Sequence, residues 1–109
     1  MTQPANLLDL RPRRKRDWEL TEQGLAVILV PRFERGLLAR WLMPRLTNPY
    51  IRVRLDSFGS FVWEHCDGET SVGEIADRLR LRFGPSIEPA YDRIVAFVRR
   101  LKREGLISL

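Results

Sequence analysis

The residues best equipped for chemistry in this 109-residue chain are neighbours, His65 and Cys66, its one histidine and one cysteine. A thiol beside an imidazole suggests a nucleophile with its base, or the start of a metal site. The spacing argues against both. Adjacent residues on a helix point about 100° apart, a poor geometry for a base-activated nucleophile. A zinc site needs about four donors, and the chain has no second Cys or His to contribute. A buried thiol and a helix-end imidazole are the plainer reading. The carboxylate pairs Asp56/Glu64 and Glu69/Glu74 would need to converge in a cleft for acid–base work; caps and surface charges explain them better. The glycines form no phosphate-cradling motif. The expectation is a protein that is not an enzyme and uses no metal or cofactor.

Cations are the next candidates. The chain carries 19 Lys+Arg against 14 Asp+Glu, a net charge of +5. The excess gathers in Arg11, Arg13, Arg14, Lys15 and Arg16. Such a run draws nucleic acid, anionic lipid or acidic peptide; its plain reading is a solvated tail. Residues 1–16, with Pro4 and Pro12, are predicted to be a flexible basic arm, and residues 17–109 a single domain. A lone cysteine gives no internal disulfide. No apolar run approaches the roughly 20 residues of a membrane span, and the N-terminal charges follow the apolar part, the reverse of a signal peptide. A soluble, cytoplasmic protein is expected.

The elements that must position these groups are readable from periodicity. Trp18–Leu20 begins a strand, and Thr21–Gly24 reads as a turn with Gly24 at positive φ. Leu25–Val30 is a continuous apolar run, half of it β-branched, that suits a buried strand ended by Pro31. Arg35–Met43 looks helical. Its Leu38, Trp41 and Leu42 form a stripe expected to pack on the sheet, with a membrane surface or a partner as the other readings. Tyr50–Leu55 alternates, Ile51, Val53 and Leu55 to one side and Tyr50, Arg52 and Arg54 to the other. Asp56 is placed as the N-cap of a helix whose inward face is Phe58, Phe61, Val62 and Cys66, stopped by Asp67-Gly68. Ser71 and Glu74 form a capping box for a second helix of Val72, Ile75, Ala76, Leu79 and Phe83, ended by Gly84-Pro85. A third starts near Glu88-Pro89, carries Tyr91, Ile94, Val98 and Leu101, and stops at Gly105. Leu106–Leu109 can cover the core as a tail. Strands first and helices second give an α+β class.

The strand YIRVRL carries the most functional content. If it pairs beside the central run LAVILV, its other side is a free edge of N–H and C=O groups. Arg52 and Arg54 then either blunt that edge by charge or select an acidic extended peptide added as a new strand. A free edge also admits pairing with a second copy, a homodimer. The competing reading takes the last two helices as a DNA-binding unit presenting Arg93, Arg99, Arg100, Lys102 and Arg103 to phosphates. Their connection exceeds the usual turn of about three to four residues, and the last helix lacks Asn or Gln to read adenine, so DNA ranks second.

The residues LDSFGSFVWE, then DGETSVGEIA, then RFG and the closing FVRRLKREGLI resemble the PqqD-like family, that of the pyrroloquinoline-quinone biosynthesis D protein. The resemblance covers about Trp18 to Leu109, with Leu55–Phe83 its most specific block. The segment PRF…GLLARWLMPRL before YIRVRL departs from the shorter founding members. The resemblance implies a winged-helix-like domain of three N-terminal antiparallel strands and a three-helix bundle, here with a short helical insertion before strand three. It implies a peptide chaperone that binds the leader of a ribosomally made precursor peptide and delivers it to a maturation enzyme, often a radical S-adenosylmethionine protein. Carried over by position, the peptide-binding surface is Ile51, Arg52, Val53, Arg54 and Leu55 with Arg93, Phe97 and Arg100.

Overall fold

A computed structural model describes residues 6–32 and 36–109, residues 37–39 by backbone alone. In chain order the elements are β1 (Arg13–Arg14), β2 (Asp17–Leu20), β3 (Ala26–Pro31), α1 (Gly36–Leu42), β4 (Tyr50–Arg54), α2 (Ser57–Glu64), α3 (Val72–Phe83), α4 (Ala90–Arg103) and β5 (Ile107–Ser108). Short 3₁₀ turns lie at Leu7–Asp9, Met43–Arg45 and Gly84–Ile87. The expected α+β class holds: β2, β3 and β4 form an antiparallel sheet in that order, and the helices α2 to α4 follow.

The hairpin forms as its residues dictate. Gly24 takes φ +81°. Its N–H donates to the Thr21 carbonyl at 2.9 Å, and the Thr21 N–H donates to the Leu25 carbonyl at 2.8 Å. The continuously apolar β3 is the central strand, between Asp17–Leu20 and Tyr50–Arg54. Ala26 and Ile28 enter the core with Val62, Trp63, Cys66, Ile75, Leu79, Ile94 and Val98. Val27 lies on the other face, flanked in the sheet by Glu19 and Arg54, and is 1% exposed. There the Arg52 guanidinium forms an ion pair with Glu19 across β3, and such long side chains cover apolar surface with their stems.

Helix punctuation is mostly where the sequence put it. The Asp56 carboxylate accepts from the Gly59 N–H at 2.8 Å. The capping box is complete: Ser71 N–H donates to Glu74 at 2.9 Å and Glu74 N–H to the Ser71 hydroxyl at 3.1 Å. Two groups differ from expectation. Tyr91 is exposed rather than on the buried stripe of α4, and its hydroxyl lies 3.3 Å from Asp77 with Arg80 over its ring; Ala90 takes the buried place. Trp63, unassigned by periodicity, is fully buried.

The flexible arm is a correction. Residues 6–16 are laid against the domain. Backbone bonds tie Arg14 N–H to the Cys66 carbonyl (2.9 Å), Lys15 N–H to Leu106 (3.0 Å), Gly68 N–H to Pro12 (2.8 Å) and Val72 N–H to Leu10 (2.9 Å). Strand β1 pairs with β5, so the tail expected to cover the core does so as a strand. Arg14 donates to the Trp63 and Glu64 carbonyls at 3.0 and 2.8 Å, satisfying the open end of α2. Its guanidinium also stands 5.2 Å from the Trp18 ring. Residues 1–5 lie outside the described residues.

The insertion is helical over Gly36–Leu42. Its expected start at Arg35 and the Leu38 side chain fall outside the described residues. Trp41 is 62% exposed, covered by the Arg45 guanidinium 4.7 Å from its ring. Packing of that residue on the sheet is therefore not what the fold uses.

Candidate functional site

The free edge forms at β4. Register places Val53 opposite Ile28 and Arg52 opposite Leu29, and among the described residues no strand pairs with the outer side of β4. Two bonds fix which groups face out. Arg32 N–H donates to the Pro49 carbonyl at 2.9 Å, and Leu55 N–H to the Ala26 carbonyl at 3.0 Å. Antiparallel pairs alternate between hydrogen-bonded and open, so the odd residues 49, 51, 53 and 55 bond inward to β3. Tyr50, Arg52 and Arg54 therefore turn their backbone N–H and C=O toward the open edge. The side chains follow the pleat: Ile51, Val53 and Leu55 face the core side, Arg52 and Arg54 the outer face.

That core side is incompletely covered. Val53 and Leu55 are half-buried against the core, but Ile51, on the same side of the strand, is 48% exposed. Val30, opposite Ile51, is also only half-buried.

At the other end of β4 a cleft of about 340 Å³ opens between the strand and α4, lined by Arg54, Leu55, Asp56, Phe58, Phe97 and Arg100. Its floor is a close crossing. The Phe58 and Phe97 rings meet edge to face, centroids 5.6 Å apart. Gly59 makes this possible: a Cβ there would lie 3.2 Å from the Phe97 ring, 3.2 Å from the Asp56 carboxylate and 3.3 Å from Leu55. The structure thus brings Arg54, Leu55, Phe97 and Arg100 of the predicted set around one cleft. Ile51, Arg52 and Val53 run away from it along the strand. Arg93 stands one turn before Phe97, with its guanidinium 4.7 Å from the Phe58 ring. Asp56 and Phe58 were read only as cap and core, and Gly59 only as one of the glycines that form no phosphate-cradling motif. The Gly59 position, three residues after a cap and one after a core aromatic, was the one local signal of a close crossing.

The four arginines are not equivalent. Arg52 is paired with Glu19, and Arg100 with Glu104 at 2.9 Å. Arg93 covers Phe58 and points at the Ser86 and Ile87 carbonyls at 3.4 Å. The Arg54 guanidinium has no partner among the described residues.

The histidine and cysteine are spent locally. The Cys66 thiol donates to the Val62 carbonyl at 3.2 Å, and burial pushes its pKa up to about 12 against the smaller pull of Arg14. The His65 ring stacks on Phe61, centroids 4.4 Å apart, with Nδ1 2.8 Å from the Phe61 carbonyl. Asp67 is lowered to about 2, chiefly because the Glu69 and Thr70 N–H groups donate to its carboxylate. Among the described residues no cluster of three or more His, Cys, Asp or Glu is arranged to hold a metal, and no helix is long and apolar enough to cross a membrane.

Compared with known families, residues 49–107 match the model described as coenzyme PQQ synthesis protein D (PqqD). This chain belongs to the PqqD family. The matched span starts at β4 and runs into β5, so it contains the edge strand, the cleft and α4; the β2–β3 hairpin and the insertion precede it. No curated protein and no solved structure gives a significant match.

Proposed function

We propose that this PqqD-family chain is a non-catalytic peptide-binding protein. It takes the leader of a ribosomally synthesised precursor peptide as a strand added to β4, and presents that peptide to a maturation enzyme such as a radical S-adenosylmethionine protein. It serves cofactor or modified-peptide biosynthesis in the cytoplasm and needs no cofactor of its own. The observation that carries this reading is the open edge at Tyr50, Arg52 and Arg54, which runs into a cleft against α4. Added strands draw affinity from main-chain bonds and specificity from side-chain pockets, and this edge supplies both. In this reading α2, α3 and α4 with the three-stranded sheet form a winged-helix-like unit.

Arg52→Pro is the sharp test. The Arg52 N–H faces the open edge, so proline removes a donor to the ligand while leaving the β3 ladder intact. Calorimetry with short peptides encoded beside the gene should show binding to the wild type and loss of it in the folded variant. Undiminished binding to Arg52→Pro contradicts strand addition.

DNA binding through α4 is the second reading, favoured by Arg99, Lys102 and Arg103, which have no ionic partner among the described residues. It requires an affinity for duplex DNA that falls steeply with salt.

A further inference from the structure

Resting on the strand-addition reading, we infer that the ligand strand carries one acidic residue, opposite Arg54, inside an alternating apolar pattern. Read from its N-terminus, the pattern is apolar, acidic, apolar, uncharged, apolar.

The register follows from the edge. An antiparallel addition continues the existing sheet and runs opposite to β4, so the ligand's first residues lie at the cleft. Residues directly opposite each other share a face. Those opposite Leu55, Val53 and Ile51 therefore cover the half-buried and exposed apolar side chains of the core side, including Ile51 at 48% exposure. Those opposite Arg54 and Arg52 stand on the outer face.

Charge then separates the two outer positions. Arg54 has no partner among the described residues, so an acid opposite it gains a pair and displaces none of them. Arg52 is held by Glu19, an internal carboxylate in the place a ligand acid would take. An acid there competes with Glu19 and gains little. Nor is an acid favoured farther toward the cleft, where the Asp56 carboxylate lines the wall. Glu19 is thus a specificity-determining residue from outside the cleft, confining acid recognition to one position. The same pattern opposes self-association: the antiparallel pairing of two β4 edges that uses all three open positions sets Arg52 against its own copy.

Two capped synthetic peptides test this, SLDVTIS, with its acid opposite Arg54, and SLTVDIS, of the same composition with its acid opposite Arg52. Sliding by two residues to reach Arg54 costs SLTVDIS the apolar residue facing Ile51. Amide shifts of Tyr50–Leu55 report edge binding, and titration gives affinity. SLDVTIS is expected to bind wild type about three- to fivefold tighter, the worth of one exposed charge pair. Arg54→Gln should equalise the peptides, and Glu19→Gln should raise SLTVDIS toward SLDVTIS. Equal affinities in wild type, or a preference that survives Arg54→Gln, overturn the acid assignment while the shifted β4 amides leave strand addition standing. If neither peptide shifts those amides, strand addition itself fails, and the inference with it.

Discussion

Arg14 and Arg54 are the same residue in opposite circumstances. Arg14 holds two carbonyls at the end of α2 and covers Trp18, inside a strap whose backbone is bonded to the domain at four points besides its pairing with β5. Arg54 stands at a strand edge whose backbone groups are open, with its guanidinium unpartnered among the described residues. The basic strap, conspicuous as a charge run, closes the fold. The less conspicuous edge leaves bonding capacity unused. In the proposed reading, unspent capacity rather than charge density marks the surface that recognises.

Removing residues 1–16 tests the closed region hardest. Each of the four backbone bonds outside the β1–β5 ladder is worth about 1 kcal/mol, so truncation, which also removes that ladder and Arg14, should cost more than about 4 kcal/mol in denaturant unfolding. Unchanged stability would return the strap to the status of a tail. Arg14→Ala should cost about 2 kcal/mol, since two helix-end carbonyls lose a charged donor, without altering peptide affinity of the folded protein. Asp67 sharpens the same region through pH. Its folded pKa is about 2 against an ordinary 3.8, so it contributes stability above about pH 4 that is lost as pH falls toward 2. Asp67→Asn should flatten the acid limb of the stability curve in that window. At the open region Arg54→Gln should change stability by less than about 0.5 kcal/mol, while weakening acidic peptides.

Local signals in the sequence located most of the scaffold. The Ser71/Glu74 box, the Asp56 cap, the Thr21–Gly24 turn and the apolar run of β3 each act within a few residues, and each formed. What periodicity could not supply depends on distant partners. Nothing near Arg14 indicates that its guanidinium ends a helix fifty residues on. Nor does local pattern separate Ile51 from Val53, because their difference lies in where the helices stop covering the sheet. The candidate site was legible as a strand edge plus the last helix. The division of labour among Arg52, Arg54, Arg93 and Arg100 was not, since it rests on Glu19, Glu104 and Phe58 arriving through tertiary packing.

Residue-resolved amide hydrogen exchange, with and without a bound leader peptide, tests strand addition to β4 most directly. In the free protein Tyr50, Arg52 and Arg54 should exchange fast while Ile51, Val53 and Leu55 are protected by β3. Binding should slow Tyr50, Arg52 and Arg54, turning an alternating pattern into a continuous one. A bound peptide that leaves those three amides fast, and instead protects the strap or the outer face of α4, would contradict it.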